Sequence, residues 1–354
     1  MSMKKLYSLL IPVVLITLSI INSNLAYAGN EDRAGQAGAS ELLINPWARS
    51  SGWGGVNTAN GRGLDGSFTN IASLAFTEKT EIVFSQTQWL KGSDINISTF
   101  GFSQKVGETG VLGMSVMAMS FGDMLIRTTE QPEGGIGTFS PSFINIAISY
   151  AKVFSNSIYG GVSLKIISES VADAGTQGVA IDAGIQYVTG PTDNIKFGIS
   201  MKNVGPTLKF SGDGYSFAGT HNGSFMSHTI EERGAEFELP SLINIGAAYD
   251  LNINEDHRIT FAGNFTSNSF SNDQYILGAE YGFMQYLMLR GGFVYEDGVF
   301  EKSKRKTALT GATAGFSIQA PLNKEKGSTF SIDYSYRATD PFQGCHTIGA
   351  RINL

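Results

Sequence analysis

Glu280 and Arg290 flank a short break at 284–286 that separates two stretches of alternating polarity. If that break is a hairpin turn, pairing on one face sets the carboxylate directly opposite the guanidinium. Inside a narrow, partly wet space, such a pair fastens the wall or selects a charged solute, and the residue types alone leave both roles open. Asp333, Arg337 and Arg351 near the C-terminus are also isolated charges within alternating stretches, with contact to an internal plug as their sharper role, and Asp182 at mid-chain is a further inward-facing charge. Hydrolytic and metal chemistry has little to build on. His221, His228 and Glu231 share one loop with no familiar ligand spacing, and His257 and His346 have no evident nucleophile partner. The expectation is a non-enzymatic protein that calls for no cofactor and no metal.

The elements that carry these charges are strands. In "FSIDYSYRA" (330–338), Phe330, Ile332, Tyr334 and Tyr336 face one way and Ser331, Asp333, Ser335 and Arg337 the other. About 14 such segments follow one another, at 80–89, 95–105, 111–122, 143–154, 158–168, 178–188, 195–204, 242–250, 258–266, 274–283, 287–295, 308–320, 329–338 and 347–354. Each has the length a tilted strand needs to cross a bilayer. All nine prolines fall outside these segments, as a closed hydrogen-bonded ladder requires. Quick turns at 155–157, 189–194, 251–257 and 284–286 oppose long excursions at 123–142 and 205–241, the asymmetry of a barrel with periplasmic turns and extracellular loops.

The faces assign themselves by hydration. Val179, Ile181, Ala183, Ile185 and Tyr187 oppose Ala180, Asp182, Gly184 and Gln186; Ile259, Phe261 and Phe265 oppose Arg258, Thr260, Asn264 and Thr266. A lumen lined by Asp, Arg, Asn and Gly is readily wetted, so the apolar face looks into lipid, and closure leaves no unpaired edge there. Tyr150, Tyr187, Tyr249, Tyr281, Tyr295 and Tyr336 near segment ends suit interfacial girdles. A soluble sandwich or propeller is the alternative, but no blade-length repeat is visible.

The ends agree. Lys4 and Lys5, an apolar run to Ile21 and "AYA" at 26–28 read as an export signal over 1–28. Removing those lysines takes the formal charge from -6 to -8, which disfavours nucleic acid as a partner. The single Cys345 cannot make an internal disulfide. The fold class expected is therefore all-β, a transmembrane antiparallel barrel of about 14 strands over 80–354 in the cell outer membrane, surrounded by lipid and lipopolysaccharide, with both termini periplasmic.

The Gly-rich stretch 45–76 does not alternate and has no place in the wall. Ala48 and Arg49 followed by "SGWGGVNTAN" (51–60), then "FTNIASLAF" (68–76) and "MKNVGPTLKF" (201–210), resemble outer-membrane barrels of the FadL type and, among them, the PorV/PorQ group of type IX secretion components. The chain departs from the family pattern at Ile71, where a proline is usual. The resemblance implies a luminal hatch over 29–79 that uses Asn45, Pro46, Arg49, Gly52, Gly54, Gly55, Asn60, Asn70 and Leu74. It further implies a scaffold that binds translocon or cargo proteins through extracellular loops, where Phe139, Tyr215 and Phe217 are the candidate anchors. The alternative it leaves open is a FadL-like transporter of a hydrophobic small ligand, which needs an apolar pocket above 45–76 and a break in the wall. A general porin needs an open channel, which a hatch opposes. "EKSKRK" (301–306) sits in a loop expected outside, as a solvated run or a contact for lipopolysaccharide headgroups.

Overall fold

Strands that bury a polar face and expose an apolar one are stable in hydrocarbon only if every backbone N–H and C=O finds a partner within the sheet. The computed structural model, which describes residues 33–220, 226–323, 325 and 327–354, meets that condition with a closed antiparallel barrel of fourteen strands. In chain order these are β1 (Thr80–Trp89), β2 (Ile95–Val106), β3 (Gly110–Ser120), β4 (Ser142–Val153), β5 (Ile158–Val171), β6 (Ala174–Thr189) and β7 (Ile195–Val204). The second half adds β8 (Leu242–Asn252), β9 (His257–Asn268), β10 (Gln274–Phe283), β11 (Leu287–Glu296), β12 (Leu309–Asn323), β13 (Ser328–Thr339) and β14 (Cys345–Asn353). Each strand pairs with its sequence neighbours, and β1 closes on β14 from Glu81↔Asn353 to Gln88↔His346. The segment expected as an export signal lies outside the described residues.

Side-chain exposure follows the faces read from the alternation. On β13, Ile332 is 48% exposed while Asp333 is 1% exposed, and Ser331, Ser335 and Arg337 are buried with it. On β6, Val179, Ile181, Ile185 and Tyr187 are exposed, whereas Ala180, Asp182 and Gln186 are buried. A row of exposed Ile, Phe and Tyr around a polar interior is stable only in lipid.

Two expectations need correction. Pro321 lies inside β12, paired with Thr329 next to a register shift. The β11–β12 ladder has already ended at Leu287↔Ile318, so a residue without an N–H costs nothing on that side. The expected gap between the segments at 158–168 and 178–188 is instead continuous hairpin, with β5 and β6 running on to a turn at Ala172, φ 49°. The long excursions fold into short hairpins of their own, Met124–Leu125 with Thr138–Phe139 and Ser216–Thr220 with Ser227–Glu231.

Candidate functional site

Residues 40–77 run inside the barrel as short turns: Ser40–Leu43, Ala48–Ser51, Gly63–Ser67 and Ile71–Phe76. None is long enough to be stable alone, so side-chain hydrogen bonds replace helical ones. Asn45 Oδ1 accepts from Trp47 N at 3.1 Å, and Asn45 Nδ2 donates to Ser50 Oγ, which donates on to Asn57 Oδ1, both at 2.7 Å. Asn70 caps the last turn, its Oδ1 accepting from Ala72 N at 3.1 Å, while its Nδ2 donates to Thr58 O at 2.9 Å and to Ile185 O of β6 at 3.0 Å. Gln186 Nε2 donates to Thr58 O and Ser73 Oγ, Ser200 Oγ to Thr69 O, and Ser85 Oγ to Pro46 O. The wall thus holds the segment from several sides of the bore.

Glycine permits the closest approach. A Cβ on Gly52 would stand 3.0 Å from Gly315 Cα of β12, so the two backbones touch. Gly54 and Gly55 follow at φ +76° each, a sharp reversal that side chains resist. Leu74 is fully buried beneath Gly113. Asn60 is half-buried with its Oδ1 unpaired among the described residues. Arg49 lies among Arg351, Arg290, Glu280 and Asp65.

Below the segment, toward the short turns, charges form a connected network. Arg290 Nε donates to Glu280 Oε2 at 2.6 Å, Arg258 Nη2 to Glu280 Oε1 at 2.8 Å, and Arg290 Nη1 to Ser317 Oγ at 2.6 Å. Ser317 in turn donates to Asp333, and Arg351 pairs with Asp65 of the segment and with Asp333 at 3.5 Å. Leu64 N donates to Glu81 Oε2 at 2.8 Å. Asp182 is set apart, paired with Lys165 at 2.6 Å and accepting from Asn203 N at 2.8 Å. Sequence reasoning passed over Glu81, Lys196 and Lys202, although inward parity on β1 and β7 marks them. Asp65 and Glu41, in a stretch without period, carried no signal.

Above the segment, toward the long loops, is a cavity of about 510 Å³, within the range of small-molecule sites. Ile44, Trp89, Phe143, Ile276, Val294 and Leu309 supply much of its apolar wall, and Gly54, Gly55 and Thr69 lie in its floor. Lys202 and Arg337 reach its edge: Lys202 Nζ lies 3.4 Å from the Phe68 ring centroid, and the Arg337 guanidinium 4.7 Å from that of Trp89. Beside the cavity the β11–β12 ladder ends at Phe293↔Ala312, short of the Glu296 end of β11, and β12 is bulged against β13. Between Leu309↔Thr339 and Thr313↔Arg337, β12 advances four residues against two of β13. The surplus includes Gly311 at φ +92°, and Gly311, Ala312 and Thr313 all line the cavity.

The outer loops bind to themselves. Arg305 and Lys302 of "EKSKRK" pair with Asp340 at 3.3 and 3.2 Å, and Lys304 with Glu301 at 2.9 Å. Phe139 is half-buried in its hairpin, Tyr215 is half-buried in a turn, and Phe217 is exposed across from Ile230. His221 lies outside the described residues, and His228 and Glu231 sit on an exposed strand.

No protein-family model matches the chain, and no curated protein matches it. Solved structures do. The Pseudomonas putida toluene transporter TodX is 14% identical, with 86% of this chain and 96% of that one aligned at a TM-score of 0.53. The Ralstonia pickettii toluene transporter TbuX is 14% identical over 86% and 96% at 0.50, and a Pseudomonas aeruginosa FadL homologue 10% identical over 87% and 97% at 0.50. The likeness corrects the reading of the chain as a PorV/PorQ-type type IX secretion barrel with translocon or cargo partners. Two of the barrels whose architecture it shares along most of their length are toluene transporters, and of the short pieces that carried the secretion reading, 48–60 and 68–76 lie in the bore and 201–204 in the wall. This chain has the fold of the FadL-type outer-membrane barrels.

Proposed function

We propose that this protein is an outer-membrane channel for small hydrophobic molecules, with both termini in the periplasm and the long loops outside. The observation that carries the reading is the apolar cavity of about 510 Å³ between the long loops and the internal segment, whose size suits a single hydrocarbon-sized or longer guest. Residues 29–79 act as its hatch. A hydrophobic guest gains about 25 cal/mol for each Å² of apolar surface it hides from water, and would lose that gain by crossing the ion pairs below the hatch. The bulged stretch of β12 offers a sideways way out from cavity to lipid that avoids those charges. The toluene transporters named above have the same fold, which supports the reading.

The test is uptake of radiolabelled toluene and of a labelled long-chain fatty acid by cells lacking the gene and complemented with variants. Ile276→Trp, which pushes an indole into the cavity, is expected to lower uptake of the favoured guest at least tenfold while the barrel keeps its heat-modifiable gel mobility. Deleting Thr310 and Gly311 is expected to block uptake while guest binding in detergent survives. Full uptake by both variants, or by the strain lacking the gene, rejects the proposal.

A further inference from the structure

A second, smaller cavity of about 60 Å³ lies between the internal segment and the wall, lined among others by Glu41, Trp47, Thr99, Asn145, Lys165 and Asp182. Its polar groups are strangely idle. Glu41 is 2% exposed, and among the described residues no donor stands in good hydrogen-bond geometry to either carboxyl oxygen; both side-chain atoms of Asn145, itself 8% exposed, and Thr99 Oγ1 likewise lack a well-placed partner. The groups facing the Glu41 carboxyl are the side chains of Glu169 on β5 and Asn145 on β4. Glu169 is buried with Oε1 unpaired, and Thr176, directly across the ladder on β6, is buried with Oγ1 unpaired.

Two buried carboxyls side by side repel each other and lose hydration, and only the Asn145 amide and a backbone N–H lie against the Glu41 carboxyl to offset this. The lysine lining the cavity is already committed: Lys165 pairs with Asp182 at 2.6 Å and donates to Asn203 Oδ1 at 2.8 Å, so that pair adds no net charge. A proton shared between the two carboxyls or a bound cation relieves their repulsion. The donors on offer are all oxygen, two carboxylates with amide and hydroxyl oxygens, the set that hard divalent ions prefer over zinc or copper. Among the described residues no three acidic, His or Cys side chains gather at one point; two carboxylates and the Asn145 amide oxygen make the protein's share of this site, and water completes it. Glu41 also lines the large cavity, which gives an ion a route from the loop side.

We propose that Glu41, Glu169 and Asn145 hold one calcium-like divalent cation that ties the first turn of the internal segment to β4 and β5. The tie fixes one edge of the floor of the large cavity. It stands independently of what the channel carries.

The test uses the full mature chain in detergent and terbium(III) as the calcium probe, excited through Trp47, which lines the same cavity. Saturable sensitised emission, displaced by calcium and reduced at least tenfold in Glu41→Gln and in Glu169→Gln, is expected. Glu108→Gln, at an exposed turn, serves as the control and is expected to match the parent. Retained heat-modifiable mobility shows that each variant is folded, and Asn145→Asp, which keeps an oxygen donor, is expected to keep binding. Absence of saturable emission in the parent overturns the proposal, as does emission undiminished in both Gln variants. A parent that binds no ion but shows a carboxyl proton shared by Glu41 and Glu169 in infrared difference spectra overturns it too.

Discussion

Replacing Arg351 by Met removes the cation that joins the last strand to the internal segment. Arg351 is buried, pairs with Asp65 of the turn Gly63–Ser67, and lies 3.5 Å from Asp333. Met keeps most of the stem but leaves two buried carboxylates without their shared partner. Breaking a buried pair from one side costs about 3–5 kcal/mol. A stranded acid can escape by taking a proton, which from its ordinary value of 3.8 costs about 4 kcal/mol at pH 7, so the two routes agree in size. At about 1.4 kcal/mol per factor of ten, local opening of the segment becomes roughly 10² to 4 × 10³ times more frequent. Hydrogen exchange in lipid vesicles reads this directly: amides of 63–76 are expected to exchange faster by that factor, while the β2–β3 ladder keeps its protection. Asp65→Asn is expected to change exchange far less, about tenfold, because Arg351 retains Asp333. An Arg351→Met protein whose 63–76 amides exchange within threefold of the parent, or one whose barrel amides accelerate equally, refutes the claim that this pair locally fastens the segment to the wall.

Ile199, exposed at mid-strand on β7, is expected to lower the stability of the barrel in vesicles by about 2–4 kcal/mol when changed to Arg, measured by urea titration. A neutral result would mean that this face does not meet hydrocarbon. Gly52→Val places methyl groups against the Gly315 backbone and is expected to push the segment off β12, seen as new protease cleavage within 45–60 of a barrel that still resists digestion. Burial, and then the Glu169 carboxylate, raise the Glu41 carboxyl to about 7 from an ordinary 4.5 when no cation is present. Its folded value is the higher one, so its contribution to anchoring is complete below about pH 4.5 and is lost as pH rises through about 7. In chelator, amides of 40–47 are therefore expected to exchange more slowly at pH 5 than at pH 8 after correction for intrinsic rates, and Glu41→Gln to remove the difference.

The alternation in "FSIDYSYRA" and its companions was enough to set strand number, inside and outside, because a period of two leaves each side chain only one of two faces and hydration chooses between them. It also placed Glu280 against Arg290, since a short turn dictates register, and the ladder pairs them. It did not reach the ends of strands: Pro321 is accommodated because β11 stops short of it, and β5 and β6 run past their alternating portions as one hairpin.

How the internal segment is fastened to the wall was beyond sequence. Between 40 and 77 there is no period, so nothing ties Asp65 to Arg351 or Glu41 to Glu169 except the path of the chain across the bore. The same is true of the cavity, whose lining comes from the segment, many strands and the outer loops. Local alternation can decide which face of a strand is wet, but only closure of the barrel brings distant residues to a common depth, and the chemistry of this protein is built from those long-range neighbours.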